Sequence, residues 1–216
     1  MKKIKTAKGR KIASIKWIER QLNDPYVAKA KREGYRSRAA YKLLEIDGKM
    51  KVLKRGQSVV DLGAAPGGWC QVALAKGCNV VAIDLLEMDE IPGVTFFQMD
   101  FMEDDAPQVL VDALGGGGAD VVMSDMAHNT VGHRGTDHTK IMLLVEAAYD
   151  FAIEILKPNG AFLAKVFQGG TEGELLTRMK KDFKSVKHIK PPASRKESPE
   201  TYVIATGFRR QVQESA

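Results

Sequence analysis

The chain is short of the features that mark membrane-spanning, secreted and metal-binding proteins. Its 216 residues include only two cysteines, Cys70 and Cys78, which are too few for a disulfide framework or a cysteine-based zinc site. No apolar run approaches the roughly 18 residues that a membrane span needs. The N-terminus has no apolar core of the kind that a secretory signal carries. We therefore expect a cytoplasmic enzyme or binding protein.

The charged residues are divided unevenly along the chain. Residues 1–60 contain 18 lysines and arginines against 5 acids, residues 61–150 contain 3 against 15, and residues 151–216 contain 12 against 7. Although the net charge is only +6, two basic regions therefore flank an acidic middle. This division favours a protein that holds a polyanion such as nucleic acid at two places, over the alternative of an ordinary solvated surface.

Short apolar segments alternate with helical patterns from residue 58 onwards, which is typical of a doubly wound, Rossmann-like, mostly parallel α/β sheet. The last two strands have no helix between them, so we expect one antiparallel strand at that edge. Seven strands are predicted, at residues 58–62, 79–83, 94–98, 120–124, 161–167, 185–190 and 201–207. Helices are predicted between them at residues 69–76, 105–114, 136–156 and 172–181.

A basic extension precedes this sheet. Residues 1–13 read as a tail, and a helical pattern over residues 14–34 is interrupted at Pro25. Ser37 is expected to cap a second helix, residues 38–46, which Gly48 closes. We therefore divide the chain into an N-terminal arm that contacts nucleic acid, residues 1–50, and a Rossmann-like domain, residues 51–216.

A glycine-rich segment, Asp-Leu-Gly-Ala-Ala-Pro-Gly-Gly-Trp from Asp61 to Trp69, joins the first predicted strand to a helix. Glycines there let the backbone approach a ligand, and the helix N-terminus offers N–H groups to it. The segment lacks the G-x-G-x-x-G fingerprint of dinucleotide enzymes. Asp84 and Asp100 follow the next two strands, where carboxylates can bind ribose hydroxyls and an adenine amino group. The glycine-rich segment and these acids together predict a nucleoside-binding pocket that has no phosphate-binding motif. S-adenosylmethionine fits such a pocket, because it contains adenosine but no phosphate.

Three motifs carry a resemblance to a known family: the glycine-rich segment, Gly34-Tyr-Arg-Ser-Arg-Ala39 and Ser124-Asp-Met-Ala127. With them, the chain from about Ser14 to Phe208 resembles the FtsJ/RlmE family of ribosomal RNA ribose 2′-O-methyltransferases. The resemblance implies a class I methyltransferase fold with S-adenosylmethionine as cofactor. It also implies a uridine ribose in the A-loop of large-subunit rRNA as the target. One departure is that His128-Asn129 follows where the family often has proline, in the loop over the substrate.

The same resemblance assigns the site residues. The catalytic set falls on Lys42, Asp125, Lys165 and Glu200. Cofactor contacts are expected along the glycine-rich segment and at the strand ends, at Asp61, Gly63, Gly67, Gly68, Trp69, Asp84, Asp100 and Asp125. Lys165 lies in an otherwise apolar strand, where a charge is costly unless it faces a cleft with partners. Lys165 would either take the proton of the ribose hydroxyl or orient that hydroxyl, and the sequence leaves both roles open.

Enzymes that methylate other acceptors, and RNA-binding proteins without enzymatic activity, are expected to carry different sequence features. Amine methyltransferases carry an Asn/Asp-Pro-Pro-aromatic loop where this chain has Ser124-Asp-Met-Ala127. Carbon-5 pyrimidine methylation needs a nucleophilic cysteine, whereas Cys70 and Cys78 are expected to be small core residues. A simple RNA-binding module would use the basic arm but would have no use for Lys165 beside a cofactor pocket.

RNA contacts are expected from basic residues of the tail and of the segments near the site: Lys2, Lys3, Lys5, Lys8, Arg10, Lys11, Arg32, Arg36, Arg38 and Arg134. The spacing of His128, His133 and His138 does not fit a compact metal-ligand set. No metal is therefore predicted, and these histidines are expected to line the loop over the target nucleotide. We expect a monomer that acts on the large ribosomal subunit and does not bind membranes.

Overall fold

The computed structural model describes residue 19 and residues 21–127, 134–167 and 173–209, with side chains from residue 138 onwards in the helix that begins at Arg134. The predicted tail, residues 1–13, and the predicted contacts at Lys8, Arg10 and Lys11 lie outside the described residues. His128 and His133 lie outside them as well.

One seven-stranded sheet forms the centre of the molecule, in the order β3-β2-β1-β4-β5-β7-β6. All neighbouring strands are parallel except β7, which runs antiparallel to both β5 and β6. The doubly wound α/β prediction is confirmed. The expected place of the antiparallel strand is wrong, because β7 inserts between β5 and β6 and leaves β6 at the edge. The strands are β1 (Ser58–Leu62), β2 (Asn79–Asp84), β3 (Val94–Gln98), β4 (Ala119–Ser124), β5 (Leu156–Phe167), β6 (Phe183–Ile189) and β7 (Glu200–Phe208).

The helices with defined bounds in the described part of the chain are α1 (Pro25–Glu33), α2 (Ala39–Met50), α3 (Gly68–Ala75), α4 (Ala106–Ala113), α5 (Arg134–Ile155) and α6 (Glu174–Asp182). Ala30 of α1 packs against Tyr41 of α2, and the other helices lie on the two faces of the sheet. No helix among these residues is long and apolar enough to cross a membrane.

The helical pattern breaks at Pro25 as predicted, because residues 21–22 are helical, residues 23–24 are not, and Pro25 begins a new helix, α1. The fixed φ and missing N–H of Pro25 suit the first helical position, and Asp24 accepts the N–H of Tyr26 at 3.0 Å. Two predictions for α2 are wrong. Ser37 does not cap α2, whose first turn has no side-chain cap bond. Gly48 lies inside α2, which ends instead at Lys51 in a left-handed conformation.

The Pro158-Asn-Gly160 segment, which typically would end the predicted helix 136–156 and precede the predicted strand 161–167, also differs from that expectation. The long helix α5 ends at Ile155, and β5 begins at once with Leu156. The Pro158-Asn-Gly160 segment therefore lies inside the strand, at a register shift against β4 where Asn159 has φ +66°. Proline and glycine are tolerated there because a bulge relaxes the regular pairing of the ladder.

Apolar side chains pack on both faces of the sheet. Val60 and Leu62 face the layer of α4, α5 and α6, while Val59 faces α2 and α3, as the period of two along a strand requires. Leu43 and Ile46 of α2 belong to the second of these clusters and are fully buried. The core is therefore continuous across the predicted boundary at residue 50.

Candidate active site

Neighbouring strands bring the predicted catalytic residues to one end of the sheet. Asp125 directly follows β4, and its backbone N–H donates to the carbonyl of Leu62 at the end of β1. Lys165 lies on β5, which pairs with β4 through Ala164 and Ser124. Because parallel strands share one carboxyl edge, the side chains of Asp125 and Lys165 meet there.

The carboxylate of Asp125 lies between two lysines. Lys165 Nζ donates to the backbone carbonyl of Asp125 at 2.7 Å and lies 3.3 Å from its Oδ1. Lys42 Nζ reaches from α2 to within 3.9 Å of the other oxygen, Oδ2, and lies 3.4 Å from Glu200 Oε2. The structure thus brings together all four residues of the predicted catalytic set.

These four side chains are largely shielded from solvent. The side chain of Lys165 is 5% exposed and that of Asp125 is 16% exposed, whereas Glu200 at 27% lies nearer the solvent. Two cations and two carboxylates in such a place compensate one another, which is how a protein retains charges away from water.

Tyr202 is a fifth member of this cluster, and the sequence did not reveal it. It lies opposite Lys165 in the antiparallel pairing of β5 with β7, and its hydroxyl donates to Asp125 Oδ1 at 2.8 Å. Its ring packs 5.7 Å from that of Trp69 and the same distance from Lys42 Nζ. Burial, with the nearby charges of Asp125 and Glu200, raises the pKa of Tyr202 well above its ordinary value, so the phenol stays a neutral donor.

Opposing effects act on the pKa of Asp125. Burial alone would raise it, but the charges of Lys165 and Lys42, together with the Tyr202 hydrogen bond, outweigh burial and hold the pKa of Asp125 below its ordinary value. Asp125 is therefore a carboxylate at neutral pH, and it can keep both ammonium groups in place.

The glycine-rich segment runs beside this cluster and leaves no room for side chains. A Cβ at Gly63 would come within 2.8 Å of the backbone of Met126, the residue after Asp125. At Gly67 and Gly68 a Cβ would come within 2.5 Å of Ile91 and of Ser37 Oγ respectively. Gly63 and Gly67 also have positive φ values, +78° and +103°, which favour glycine. The backbone can therefore lie against a ligand at the start of α3.

Asp61 is fully buried beneath this segment. Its Oδ2 accepts a hydrogen bond from Cys70 Sγ at 3.1 Å, and its Oδ1 has no hydrogen-bond partner among the described residues. Burial raises the pKa of Asp61 to about 7, against the opposing effect of the Cys70 bond. A buried carboxylate oxygen without a partner is costly, which indicates a place for a donor from outside the chain.

The predicted nucleoside contacts differ in how they are held. Asp84 accepts the N–H groups of Ala65 and Leu86, each at 2.8 Å, which fixes its carboxylate at the end of β2. Asp100 accepts the N–H of Met102 at 3.0 Å. Trp69 is only 2% exposed, and its Nε1 donates to the carbonyl of Ala39. A contact of Trp69 with a ligand would therefore have to come from its backbone at the start of α3.

Residues 35–208 match the family model described as FtsJ-like methyltransferase. The chain belongs to this family. The curated proteins named ribosomal RNA large subunit methyltransferase E from Rhodopseudomonas palustris and Bradyrhizobium diazoefficiens are each 62% identical to it. The alignments cover 95% of this chain in both cases, and 89% and 92% of the respective relatives. A solved structure described as a ribosomal RNA methyltransferase of Plasmodium falciparum has a TM-score of 0.72 at 31% identity, covering 81% of this chain and 98% of that one.

FtsJ-like methyltransferases use S-adenosylmethionine, and the crevice at the carboxyl end of β1 fits such a cofactor. The cradle at Gly63 and Gly67 admits a ligand close to the backbone. The free Oδ1 of Asp61 can accept from an ammonium or hydroxyl donor, and both carboxylates at the ends of β1 and β2 suit a cofactor with such donors.

Arg36 and Arg38, predicted as phosphate contacts, are engaged within the FtsJ-like fold. The Arg36 guanidinium donates to the carbonyls of Pro66, Asp89 and Glu90, which ties α2 to the glycine-rich segment. Arg38 is 15% exposed and donates to Asp24 and to the carbonyl of Ala193. These bonds argue against both residues as exposed phosphate contacts.

The other predicted RNA contacts are less constrained. Arg32 is exposed and lies 3.6 Å from Glu33. The side chain of Arg134, at the start of α5, lies outside the described residues. No group of three or more potential metal ligands occurs among the side chains that the structure describes.

Proposed function

We propose that the protein transfers the methyl group of S-adenosylmethionine to the ribose 2′-hydroxyl of a uridine in large-subunit rRNA, in the A-loop of the assembled subunit. The relatives named ribosomal RNA large subunit methyltransferase E support the substrate class. The observation that carries the proposal is the placement of Lys165 and Lys42 on one carboxylate, Asp125, beside the glycine-rich segment.

The bound cofactor supplies an electrophilic methyl on a positively charged sulfur, so the protein has to deliver one oxygen in line and manage one proton. The side chains of Lys165 and Asp125 are largely buried and 3.3 Å apart, so they can fix the position of a hydroxyl that approaches them. Positioning of this kind is worth many orders of magnitude in rate when both reactants are held.

We propose that the Lys165 ammonium first releases one proton to solvent and that its amine then accepts the proton of the 2′-hydroxyl, while that oxygen takes the methyl group that the cofactor would supply. Asp125 holds Lys165 through its backbone carbonyl and its Oδ1. Lys42 lies near the other carboxylate oxygen, Oδ2, and is itself paired with Glu200. Tyr202 donates to the Asp125 carboxylate and keeps it oriented.

The cysteines do not suit methylation of a pyrimidine carbon. Cys70 is buried and its Sγ donates to Asp61, while Cys78 is buried and its Sγ donates to the carbonyl of Lys54. Burial raises the pKa of both thiols, so neither is a ready thiolate. Carbon-5 methylation requires such a nucleophile, and this favours the ribose as acceptor.

The test is transfer of a tritiated methyl group to unmodified large ribosomal subunits, followed by alkaline hydrolysis of the RNA. A 2′-O-methyl group blocks attack on the adjacent phosphate, so the label should appear in an alkali-resistant dinucleotide. Sequencing of that product identifies the nucleotide, and naked rRNA in a parallel reaction tests the assembled subunit as substrate. Label in a mononucleotide base would contradict ribose methylation.

Two substitutions at Lys165 test its role. Lys165→Ala should fold and bind S-adenosylmethionine but lose at least ~100-fold in kcat, as is typical of a positioned proton-transfer group. Lys165→Arg keeps the charge but cannot accept a proton, so it should be nearly as inactive. Substantial activity in Lys165→Arg would instead make residue 165 an orienting group. Lys187→Ala, an exposed lysine on the edge strand β6, is the matched control.

We also propose that residues 1–50 contact the RNA, that residues 51–216 bind the cofactor and that the protein acts as a cytoplasmic monomer. The excess of basic residues in the first 60 supports the first assignment. Sedimentation equilibrium of the free protein tests the oligomeric state, and a dimer mass would contradict it.

A further inference from the structure

The guanidinium of Arg36 is bonded to three backbone carbonyls and to no carboxylate among the described residues. Arg36 lies in the motif Gly34-Tyr-Arg-Ser-Arg-Ala39, between α1 and α2. Its Nη1 donates to the carbonyls of Pro66 and Asp89 at 3.3 and 2.5 Å, and its Nη2 donates to the carbonyl of Glu90 at 2.8 Å. The planar guanidinium carries its donors in a fixed arrangement, so it can hold several acceptors at a set spacing. Arg36 therefore holds backbone segments together instead of presenting a free charge.

The three carbonyls belong to the two segments that border the cofactor crevice. Pro66 lies in the glycine-rich segment between β1 and α3, while Asp89 and Glu90 lie in the segment between β2 and β3. Both segments follow the carboxyl ends of neighbouring parallel strands, where ligands of open α/β sheets bind. The bonds of Arg36 therefore fix the spacing between these two segments.

The carboxylate of Asp84 joins the same two segments. Its Oδ2 accepts the N–H of Ala65 in the glycine-rich segment, and its Oδ1 accepts the N–H of Leu86 in the segment after β2, each at 2.8 Å. The position of this carboxylate thus depends on the spacing that Arg36 fixes. Asp84 is the residue predicted to bind the ribose of the cofactor, so a change at Arg36 should reach the cofactor through it.

Apolar packing transmits the same spacing to the glycine cradle. Met88 and Ile91, on either side of the carbonyls that Arg36 holds, are only 8% and 9% exposed. A Cβ at Gly67 would come within 2.5 Å of Ile91 Cδ1, 3.0 Å of Met88 Sδ and 3.4 Å of Arg36 Cδ. Gly67 is therefore in close contact with both the segment and the side chain that holds it.

The backbone around Arg36 is itself held by α3. Gln71 Oε1 accepts the N–H of Arg36 at 2.8 Å, and Gln71 Nε2 donates to the carbonyl of Gly34 at 3.0 Å. The N-terminus of α3 borders the crevice, so the helix that holds the backbone of Arg36 lies between the segments that its side chain joins. The two sets of bonds keep the guanidinium in one place.

We propose that Arg36 is a positioning residue for S-adenosylmethionine: it keeps the Asp84 carboxylate and the glycine cradle at the spacing that the cofactor needs. This rests on the proposed function, since it concerns the cofactor of the same reaction. Arg36 belongs to the N-terminal arm, residues 1–50. The arm therefore contributes to the affinity for the cofactor, in addition to the RNA contact proposed for it.

Calorimetry with S-adenosylmethionine, without RNA, measures this contribution. Arg36→Gln should raise the Kd about tenfold, or about 1.4 kcal/mol, close to the lower limit for one hydrogen bond to a charged group because these bonds lie near the surface. The KM for the cofactor should rise by the same factor, while kcat at saturating cofactor and RNA stays unchanged. Arg36→Lys keeps the charge but cannot hold all three carbonyls in one fork, so its Kd should be intermediate. It also tests the proposal if Arg36→Gln does not fold.

Two controls separate positioning from general stability. Arg55→Gln removes an exposed arginine from the turn before β1 and should change neither the Kd nor the melting temperature. Tyr149→Phe removes a buried hydrogen bond to Asp182 and should lower the melting temperature without changing the Kd. An equal rise of the Kd in Tyr149→Phe would overturn the proposal, because the loss would then follow stability alone. A lower melting temperature with wild-type cofactor affinity in Arg36→Gln would overturn it as well.

The salt dependence of RNA binding separates this role from the phosphate contact predicted for Arg36. A positioning residue leaves the slope of log affinity against log salt unchanged, whereas the loss of a phosphate contact lowers it by about 0.7. A lower slope with a wild-type Kd for S-adenosylmethionine would overturn the proposal. A wild-type protein that binds S-adenosylmethionine but transfers no methyl group to rRNA would contradict the proposed function, while calorimetry still tests Arg36.

Discussion

Replacing Tyr202 by phenylalanine removes one atom from the centre of the catalytic cluster. The hydroxyl of Tyr202 donates to Asp125 Oδ1 at 2.8 Å, while its ring packs against Trp69. Phenylalanine keeps the ring and its packing, so the change isolates the hydrogen bond. Asp125 would retain Lys165 on the same oxygen and Lys42 near the other.

The expected loss of stability follows from the charge and burial of the acceptor. A hydrogen bond to a charged group is worth about 1.5–3 kcal/mol. Because the Asp125 side chain is 16% exposed and keeps its ion pair with Lys165, we expect the lower part of that range, about 1.5–2 kcal/mol at pH 7. A less firmly oriented carboxylate should also lower kcat, by about tenfold if the full loss is felt in the transition state.

The pH dependence of this loss has a definite sign. The pKa of Asp125 is lower in the folded protein than its ordinary value, so the unfolded chain binds more protons at acidic pH. The stabilisation by Asp125 is therefore complete above the unfolded value, near pH 4, and is lost as the pH falls through the folded value. Tyr202 contributes to that lowering. The stability difference between wild type and Tyr202→Phe should thus be constant from about pH 5 to 8 and should shrink below about pH 4.

Urea unfolding between pH 3.5 and 8 measures this difference, and steady-state methyl transfer measures kcat. Tyr149→Phe is a matched control, because Tyr149 is a buried tyrosine that donates to Asp182 far from the cofactor crevice. That control should lose comparable stability without a specific loss of kcat. A stability loss below about 0.5 kcal/mol, or a difference that grows as the pH falls, would refute the reasoning.

Three further changes follow from the structure. Asp61→Asn should be more stable than wild type at pH 8 in urea unfolding. Because the folded pKa of about 7 makes the wild type lose stability as the pH rises from about 4 to 7, this gain should shrink as the pH falls and disappear near pH 4. A gain that is as large at pH 4 as at pH 8 would contradict it. Gly63→Ala should weaken S-adenosylmethionine binding in calorimetry, since its Cβ would come within 2.8 Å of Met126, and wild-type affinity would exclude a close approach of the cofactor there. Replacing Lys8, Arg10 and Lys11 by glutamine should flatten the salt dependence of RNA binding by about 0.7–0.9 per lost phosphate contact and leave cofactor binding intact; an unchanged slope would make the tail a solubility element.

Local sequence patterns were sufficient to predict which strands and helices follow one another along the chain from residue 58 onwards. Every strand forms within a few residues of its predicted bounds, because each is a short apolar run bounded by turn residues. The start of β5 was missed, since Pro158 and Gly160 normally end an element and only the pairing with Ala119 accommodates them in a strand. The place of β7 between β5 and the edge strand β6 depends on tertiary packing that no local pattern encodes.

A residue of the candidate site could be predicted from the sequence where its type departs from the pattern of its neighbours. A lysine in an apolar strand and acids at strand ends depart from the local pattern, so Lys165 and Asp84 could be singled out from the residues themselves. Lys42, Asp125 and Glu200 were assigned only through the family resemblance. Tyr202 does not depart from the local pattern, because a tyrosine is ordinary in a buried strand. Its role depends on the register that places it opposite Lys165, and the sequence alone does not determine that register.

The helix α2 gives the N-terminal region a structural role in addition to the RNA contact proposed for it. Arg38, Lys42 and Glu45 are spaced four and three residues apart, so they lie on one face at the start of this helix. Arg38 donates to the carbonyl of Ala193, and Glu45 accepts the N–H of the same residue at 2.7 Å. Arg38 and Glu45, which lie on either side of Lys42 along α2, therefore both hold the segment that leads to Glu200. A chain without residues 1–50 would lose Lys42, the support of Glu200 and the cover over α3 together, so the arm and the catalytic cluster form one functional unit.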